Sequence, residues 1–100
     1  MNQEERARHN YRVRVGRYLQ MLGALDESSH ALCHAELARA CDLARSAYSA
    51  ELITELLSAG YIVASEVVFP NGVPGSLYDI TSEGRLAIDQ LNADLSPEWS

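Results

Sequence analysis

The first quarter of the chain places apolar side chains at three- and four-residue intervals, which is the spacing of one face of an α-helix. The apolar positions that set this spacing are Val13, Tyr18, Leu19, Leu22 and Leu25. The polar run Asp26-Glu27-Ser28-Ser29 that follows is suited to ending a helix and turning the chain. We therefore predict a first helix over about residues 8–25.

Two later segments carry the same helical spacing. The apolar residues of CHAELARAC fall on one face: Leu37, Ala38 and Cys41. They predict a short second helix over 33–41, followed by a tight turn at Asp42. A third helix is predicted over 45–59, where Gly60 stands at the position of a C-terminal cap. The apolar residues of this third helix are Tyr48, Leu52, Ile53, Leu56 and Leu57.

The helical spacing is lost after Gly60, and a strand pattern replaces it. Residues 61–69 (YIVASEVVF) are rich in β-branched and aromatic side chains, and residues 77–80 resume the same pattern. The segment between them, 70–75, is dense in proline, glycine and asparagine. These features predict a β-hairpin with a six-residue tip.

Thr81 is a good N-cap for a last helix, which Pro97 ends. The apolar residues of this helix are Leu86, Ile88, Leu91 and Leu95. The predicted order is helix, helix, helix, hairpin, helix, so the fold class is mainly α with a small β-hairpin. We divide the chain into a polar, arginine-rich arm at 1–11, one domain at 12–95 and a tail at 96–100.

The middle of the chain resembles a known family of folds. HAELARACDL followed by ARSAYSAELITELLSAGYI, over residues 34–62, is similar to the helix-turn-helix of winged-helix transcription regulators of the MarR and PadR kind. The hairpin and the sequence YDITSEGRLAI resemble the wing and closing helix of those regulators. The resemblance covers roughly residues 12–92 and implies a winged helix-turn-helix: three helices, a β wing and a C-terminal helix.

The resemblance also implies a function. In these families the third helix enters the DNA major groove and the hairpin tip reaches the DNA backbone or minor groove. The expectation for this chain is a sequence-specific transcription regulator that binds double-stranded DNA, with helix 45–59 as its recognition helix. A homodimer is expected, because a single small module with few cations binds DNA weakly. The terminal helices are the expected dimer surface.

Charge decides which residues are candidates for DNA contact. The net charge is −6, and all eight basic residues are arginine, five of them within the first 17 positions. Cationic side chains carry most of the affinity for phosphate, so the arm and the start of the third helix are the expected contacts. The candidate DNA-binding residues are Arg45, Ser46, Ser49, Thr54, Arg12, Arg14, Arg17 and Asn71.

Other features favour a second hypothesis: the chain is a winged-helix module that binds a protein and not DNA. An adaptor or a phage- or plasmid-encoded modulator would be of this kind. Glu51 and Glu55 accompany the candidate groove-facing residues, and the segment 65–76 has no lysine or arginine. The arginine cluster also fits a solvated helix start that is paired with carboxylates. Tyr48 fits the core better than DNA contact, and Trp99 is a candidate anchor for a partner.

Several function classes find no support in the sequence. No stretch is long and apolar enough to cross a bilayer. Two cysteines, in a chain with enough apolar residues to fold unaided, do not suggest a disulfide framework, so we expect a cytoplasmic protein. The histidines and cysteines between positions 30 and 41 match no common zinc spacing, and we expect no metal and no cofactor. No phosphate-binding glycine loop or nucleophile motif is present, so no enzyme activity is expected.

Overall fold

The computed structural model describes residues 2–95, so the predicted tail at 96–100, with Trp99, lies outside the described residues. The order of elements is the predicted one, with one short strand added. The elements are α1 (Gln3–Glu27), β1 (Leu32–Cys33), α2 (His34–Ala40), α3 (Ala47–Ser58), β2 (Ile62–Val68), β3 (Pro74–Ile80) and α4 (Ser82–Asp94).

Helix α1 begins at Gln3, five residues before the predicted start. Asn2 caps it, because its side-chain oxygen accepts a 2.8 Å hydrogen bond from the backbone N–H of Glu5. Arg8 forms an ion pair with Glu4 one turn earlier, at 2.8 Å. The segment that the sequence suggested as an arm is therefore helical from Gln3 onward. Its side chains are exposed as far as residue 13.

Three antiparallel strands form one sheet in the order β1, β3, β2. The hairpin of β2 and β3 is the predicted one, with Ile62 opposite Ile80 and Val68 opposite Pro74. Strand β1 was not predicted. It contains two residues, which is too short for an alternating pattern, and it exists because Leu32 pairs with Tyr78 of the hairpin.

The core lies where α1, α2 and α3 meet the sheet. Its fully buried residues include the helical positions that the periodicity identified: Leu22, Leu25, Leu37, Ala38, Cys41, Leu52 and Leu56. Each buried leucine stabilises the fold by about 2 kcal/mol relative to an exposed one. The small side chain of Ala38 lies in the same core, within α2.

Helix α4 packs on the core through Ile88 and Leu91, as predicted, but Leu86 lies on the exposed side of the helix. Leu86 is 66% exposed, whereas Gly84 and Ala87 are buried. The small residues set this orientation, because they allow the helix backbone to approach the rest of the domain more closely than leucine would.

The turn into α4 explains why residue 84 is glycine. The hydroxyl of Thr81 accepts a 3.0 Å hydrogen bond from the N–H of Gly84 and donates a 2.7 Å bond to the carbonyl of Gly60. The turn is thus fastened to the end of α3, where Gly60 adopts a φ of 79°. A methyl group on Gly84 would collide with the Tyr61 carbonyl oxygen and lie 2.7 Å from Ile80 Cγ1.

We expect Gly84→Ala to lower the free energy of unfolding by about 1–3 kcal/mol, because the backbone of Tyr61 cannot move aside cheaply. Gly23→Ala in α1 is the matched control. A methyl group there meets no atom within 4 Å, so it should be neutral or stabilise by up to about 1 kcal/mol. Urea unfolding of both variants tests this, and equal stability of the two would contradict the packing described for α4.

Candidate nucleic-acid interface

The start of α3 is fixed by a tight turn and a capping box. Asp42 adopts a left-handed φ of 54°, which ends α2 as the sequence predicted. Ser46 is the N-cap of α3: its hydroxyl accepts from the N–H of Ser49, and the Ser49 hydroxyl accepts a 3.0 Å bond from the N–H of Ser46. These bonds set the direction in which α3 leaves the turn.

Ser49 does not face outward, contrary to the sequence-based assignment. It is 0% exposed, and its hydroxyl lies 3.1 Å from the carbonyl oxygen of Ala44. The Nε2 atom of His34, the first residue of α2, lies 2.6 Å from the same hydroxyl. Ser49 therefore holds α2, the turn and α3 together and is not available to contact a base. The hydrogen bonds of the capping box, and not the position of Ser49 on a helical wheel, decide that its side chain is buried.

The outward face of α3 is formed by small and acidic side chains. Its exposed residues are Ala47, Tyr48, Glu51, Thr54 and Ser58. Thr54 is exposed as expected, with its hydroxyl donating a 2.9 Å bond to the carbonyl of Ala50 one turn earlier. Its oxygen keeps a lone pair that can accept from a base.

Arg14 lies against α3 and pairs with its carboxylates. Its Nη2 atom is 2.9 Å from Glu51 Oε1 and also pairs with Glu55. The hydroxyl of Tyr18 donates to Glu55 as well, and the Arg14 guanidinium lies 5.9 Å from the centre of the Tyr48 ring. Arg14 thus offsets part of the negative charge of Glu51 and Glu55, where the sequence suggested a phosphate contact.

The groups of this cluster shift one another's pKa values. Hydrogen bonding to Arg14 lowers the pKa of Glu55, and the Tyr18 bond adds to the effect. Burial raises the pKa of Tyr18, and its bond to Glu55 raises it further. At neutral pH the cluster therefore contains a charged Arg14–Glu55 pair and a neutral phenol.

The other two arginines of α1 that the sequence suggested as DNA contacts, Arg12 and Arg17, have separate surroundings. Arg17 donates a 2.7 Å bond to the carbonyl of Cys41 at the end of α2 and lies 3.2 Å from Gln20 Oε1. Arg17 thus satisfies a helix-terminal carbonyl. Arg12 lies on the exposed part of α1.

A cleft between the wing and the start of α2 brings together two of the predicted residues. It has a volume of about 510 Å³, and Arg45, Asn71 and His34 line it, with Tyr78, Phe69 and Ser76. Arg45 is exposed, and no carboxylate of residues 2–95 pairs with it. Asn71 uses its side-chain oxygen to accept from the N–H of Val73 at 3.1 Å, which leaves its NH₂ group for a ligand.

Sequence reasoning considered His34 only as a metal ligand. Its place in the cleft depends on the pairing of β1 with the hairpin, which the sequence did not indicate. Within residues 2–95 no group of three or more histidine, cysteine or carboxylate side chains is placed to hold a metal ion. In the same part of the chain, no helix combines the length and hydropathy needed to span a membrane.

The Arg14 pairing predicts a pH-dependent contribution to stability from Glu55. Its pKa is lower in the folded chain than the ordinary 4.5, so the contribution is complete above that value and is lost as the pH falls through the folded pKa. Because both side chains are about one-third exposed, we expect at most about 1 kcal/mol. Glu55→Gln should lower stability at pH 7, and its difference from the wild type should shrink as the pH falls through the folded pKa of Glu55. A difference that is constant with pH would contradict the ion pair.

No protein-family model and no curated protein matches this chain in sequence. Solved structures do match its fold. A transcriptional regulator from Thermoplasma acidophilum superposes with a TM-score of 0.70 at 17% identity, over 83% of this chain and 82% of that one. The PcaV transcriptional regulator from Streptomyces coelicolor, solved with its natural ligand, gives 0.60 at 21% identity, over 90% of this chain and 67% of PcaV.

A regulator described as a member of the MarR family gives a TM-score of 0.59 at 22% identity. The match covers 83% of this chain but about half, 54%, of that regulator. At these identities the likeness concerns the fold. The chain is therefore a winged helix-turn-helix, with α2 and α3 as its helix-turn-helix and the β2–β3 hairpin as its wing, in the arrangement found in MarR-family regulators.

Proposed function

We propose that this chain is a sequence-specific DNA-binding transcription regulator that acts in the cytoplasm and uses α3 as its recognition helix. The observation that carries the proposal is the cleft. There Arg45, at the start of α3, and Asn71, at the wing tip, lie on one concave surface. Regulators of the same fold support the assignment, since each matched structure described above is of a transcription regulator.

The exposed face of α3 is suited to close approach to DNA. A helix of 12 residues is about 18 Å long, and a major groove about 12 Å wide accepts it. Ala47 and Ser58 are small, and Thr54 offers a methyl group and a hydroxyl, which suit thymine methyls and polar base edges. Arg45 and the wing would then hold the flanking phosphates.

Ion pairs within the protein reduce the repulsion of DNA phosphates that a net charge of −6 would otherwise cause. Glu51 and Glu55 lie beside the proposed groove contact, and Arg14 balances part of their charge from α1. The remaining phosphate contacts are few, so we expect modest affinity per chain and a shallow dependence on salt.

A homodimer supplies the affinity that one chain lacks. Residues 3–13 of α1 are exposed, and a helical segment with little tertiary packing is only marginally stable in water. Tyr11, 53% exposed, lies in this segment and bonds Asp94 at the end of α4, with 3.3 Å between the oxygens. We propose that this exposed half of α1 (residues 3–13), next to the end of α4, packs against a second copy, so that two α3 helices read two half-sites.

One observation favours a second candidate, a module that binds a protein instead of DNA. The wing has no lysine or arginine from 65 to 76, and it exposes Val63, Val68 and Val73. A wing that carries Glu66 but no cation, and that exposes valines, suits an apolar partner better than a phosphate backbone.

Selection from a pool of random duplexes, followed by sequencing, tests the first candidate directly. We expect enrichment of a palindrome whose half-sites lie about one helical turn apart. Absence of enrichment even at low salt would reject DNA binding and favour the protein-binding candidate.

Arg45→Ala should weaken binding to the enriched duplex by about tenfold for each bound chain, because it removes the cation of the cleft. The slope of log affinity against log salt should become shallower by about 1 per chain. Arg39→Ala is the matched control, since Arg39 is also exposed but does not line the cleft. Equal losses for the two variants would mean that only overall charge matters.

Sedimentation tests the dimer, with an expected mass of twice the 11.0 kDa of one chain. Tyr11→Arg combined with Val13→Arg should yield monomers, because both residues lie on the exposed half of α1. Val68→Arg in the wing, at a site more exposed than either, should leave the dimer intact. A wild-type chain that remains monomeric at all concentrations would reject this interface.

A further inference from the structure

His34 is held between the recognition helix and the cleft. Its Nε2 atom lies 2.6 Å from the hydroxyl of Ser49, in the first turn of α3, while its ring lines the cleft beside Arg45 and Asn71. The Nδ1 atom makes no hydrogen bond within residues 2–95. One nitrogen of the ring is therefore fixed by the protein, and the other remains for a ligand in the cleft.

The surroundings of His34 favour the neutral ring in the free protein. Burial lowers its pKa below the ordinary 6.5, and the charge of Arg45 lowers it further. The groups that line the cleft from each element are Cys33 beside it, Arg45 from the turn, Tyr78 from β3 and the neutral Asn71 and Ser76 of the wing. No carboxylate is among them. The nearest one along α2, Glu36, caps that helix by accepting a 3.0 Å bond from the N–H of Cys33.

A phosphate in the cleft would reverse this preference. Its negative charge would outweigh the effect of Arg45 and favour an imidazolium, which donates from both ring nitrogens. The Ser49 hydroxyl can accept from a protonated Nε2, because its own hydrogen can go to the carbonyl of Ala44 or Ser46, at 3.1 and 3.0 Å. Protonation of His34 therefore preserves the bond between α2 and α3 and adds a cation to the cleft.

We propose that His34 binds a DNA phosphate through Nδ1 in its protonated form, so that each chain takes up a proton when it binds DNA. This inference rests on the proposed function and deepens it, because acidity then strengthens DNA binding. His34 acts with Arg45 and Asn71 as a third phosphate contact on the cleft. The contact is complete only when the ring is charged.

Binding to the enriched duplex, measured by fluorescence anisotropy at constant ionic strength between about pH 8 and pH 6, tests the proposal. Affinity should rise as the pH falls, by a factor approaching tenfold per pH unit for each bound chain. His34→Gln should remove most of this dependence. His9→Gln is the matched control, because His9 is exposed on α1 and outside the cleft, and it should behave like the wild type.

Proton NMR of the wild-type imidazole rings provides a readout that does not depend on a variant's folding. The pKa of His34 should rise when the duplex is added. DNA binding with the same pH dependence in His34→Gln, or an unchanged His34 titration in the complex, would overturn the proton uptake and leave the regulator assignment standing. Absence of binding at every pH would overturn both.

Discussion

A single buried hydroxyl group holds the two helices of the helix-turn-helix at their angle. The Ser49 hydroxyl accepts a hydrogen bond from the backbone N–H of Ser46 and donates one to the carbonyl of Ala44 in the turn. It also lies 2.6 Å from Nε2 of His34 in α2. Leaving such partners unsatisfied inside a protein costs about 1–3 kcal/mol for each group. The position of α3, and with it the cleft, therefore depends on these hydrogen bonds as well as on the buried contacts of Leu52 and Leu56.

Arg14 of α1 pairs with carboxylates of α3. An acidic third helix is poorly suited to contact with a polyanion if its charge is left unpaired. Here the first helix supplies Arg14 to Glu51 and Glu55, and Tyr18 donates to Glu55 as well. The overall acidity of the chain therefore differs from the local charge around α3, where Arg14 pairs with these carboxylates and Arg45 is exposed in the turn before the helix.

The comparison of sequence with structure separates what local patterns specify from what long-range contacts specify. Helical periodicity identified α2 and α3, Gly60 marked the end of α3, and Thr81 marked the start of α4, because each signal depends on neighbouring residues alone. The two residues of β1 and the outward turn of Leu86 depend on partners far along the chain, so no local pattern indicated them. The same limit applies to the site: Arg45 and Asn71 do share a surface, whereas the burial of Ser49 could not be read from its position on a helical wheel.

Helix α1 runs without a break from its exposed first half to the turns that contact α3. Its exposed first half, about 16 Å long, continues into the turns that carry Arg14 and Tyr18. A tilt of this half would therefore also displace Arg14 and Tyr18, which contact Glu51 and Glu55 of α3. Binding of a second copy to the first half of α1 and binding of DNA by α3 would then be coupled through one continuous helix.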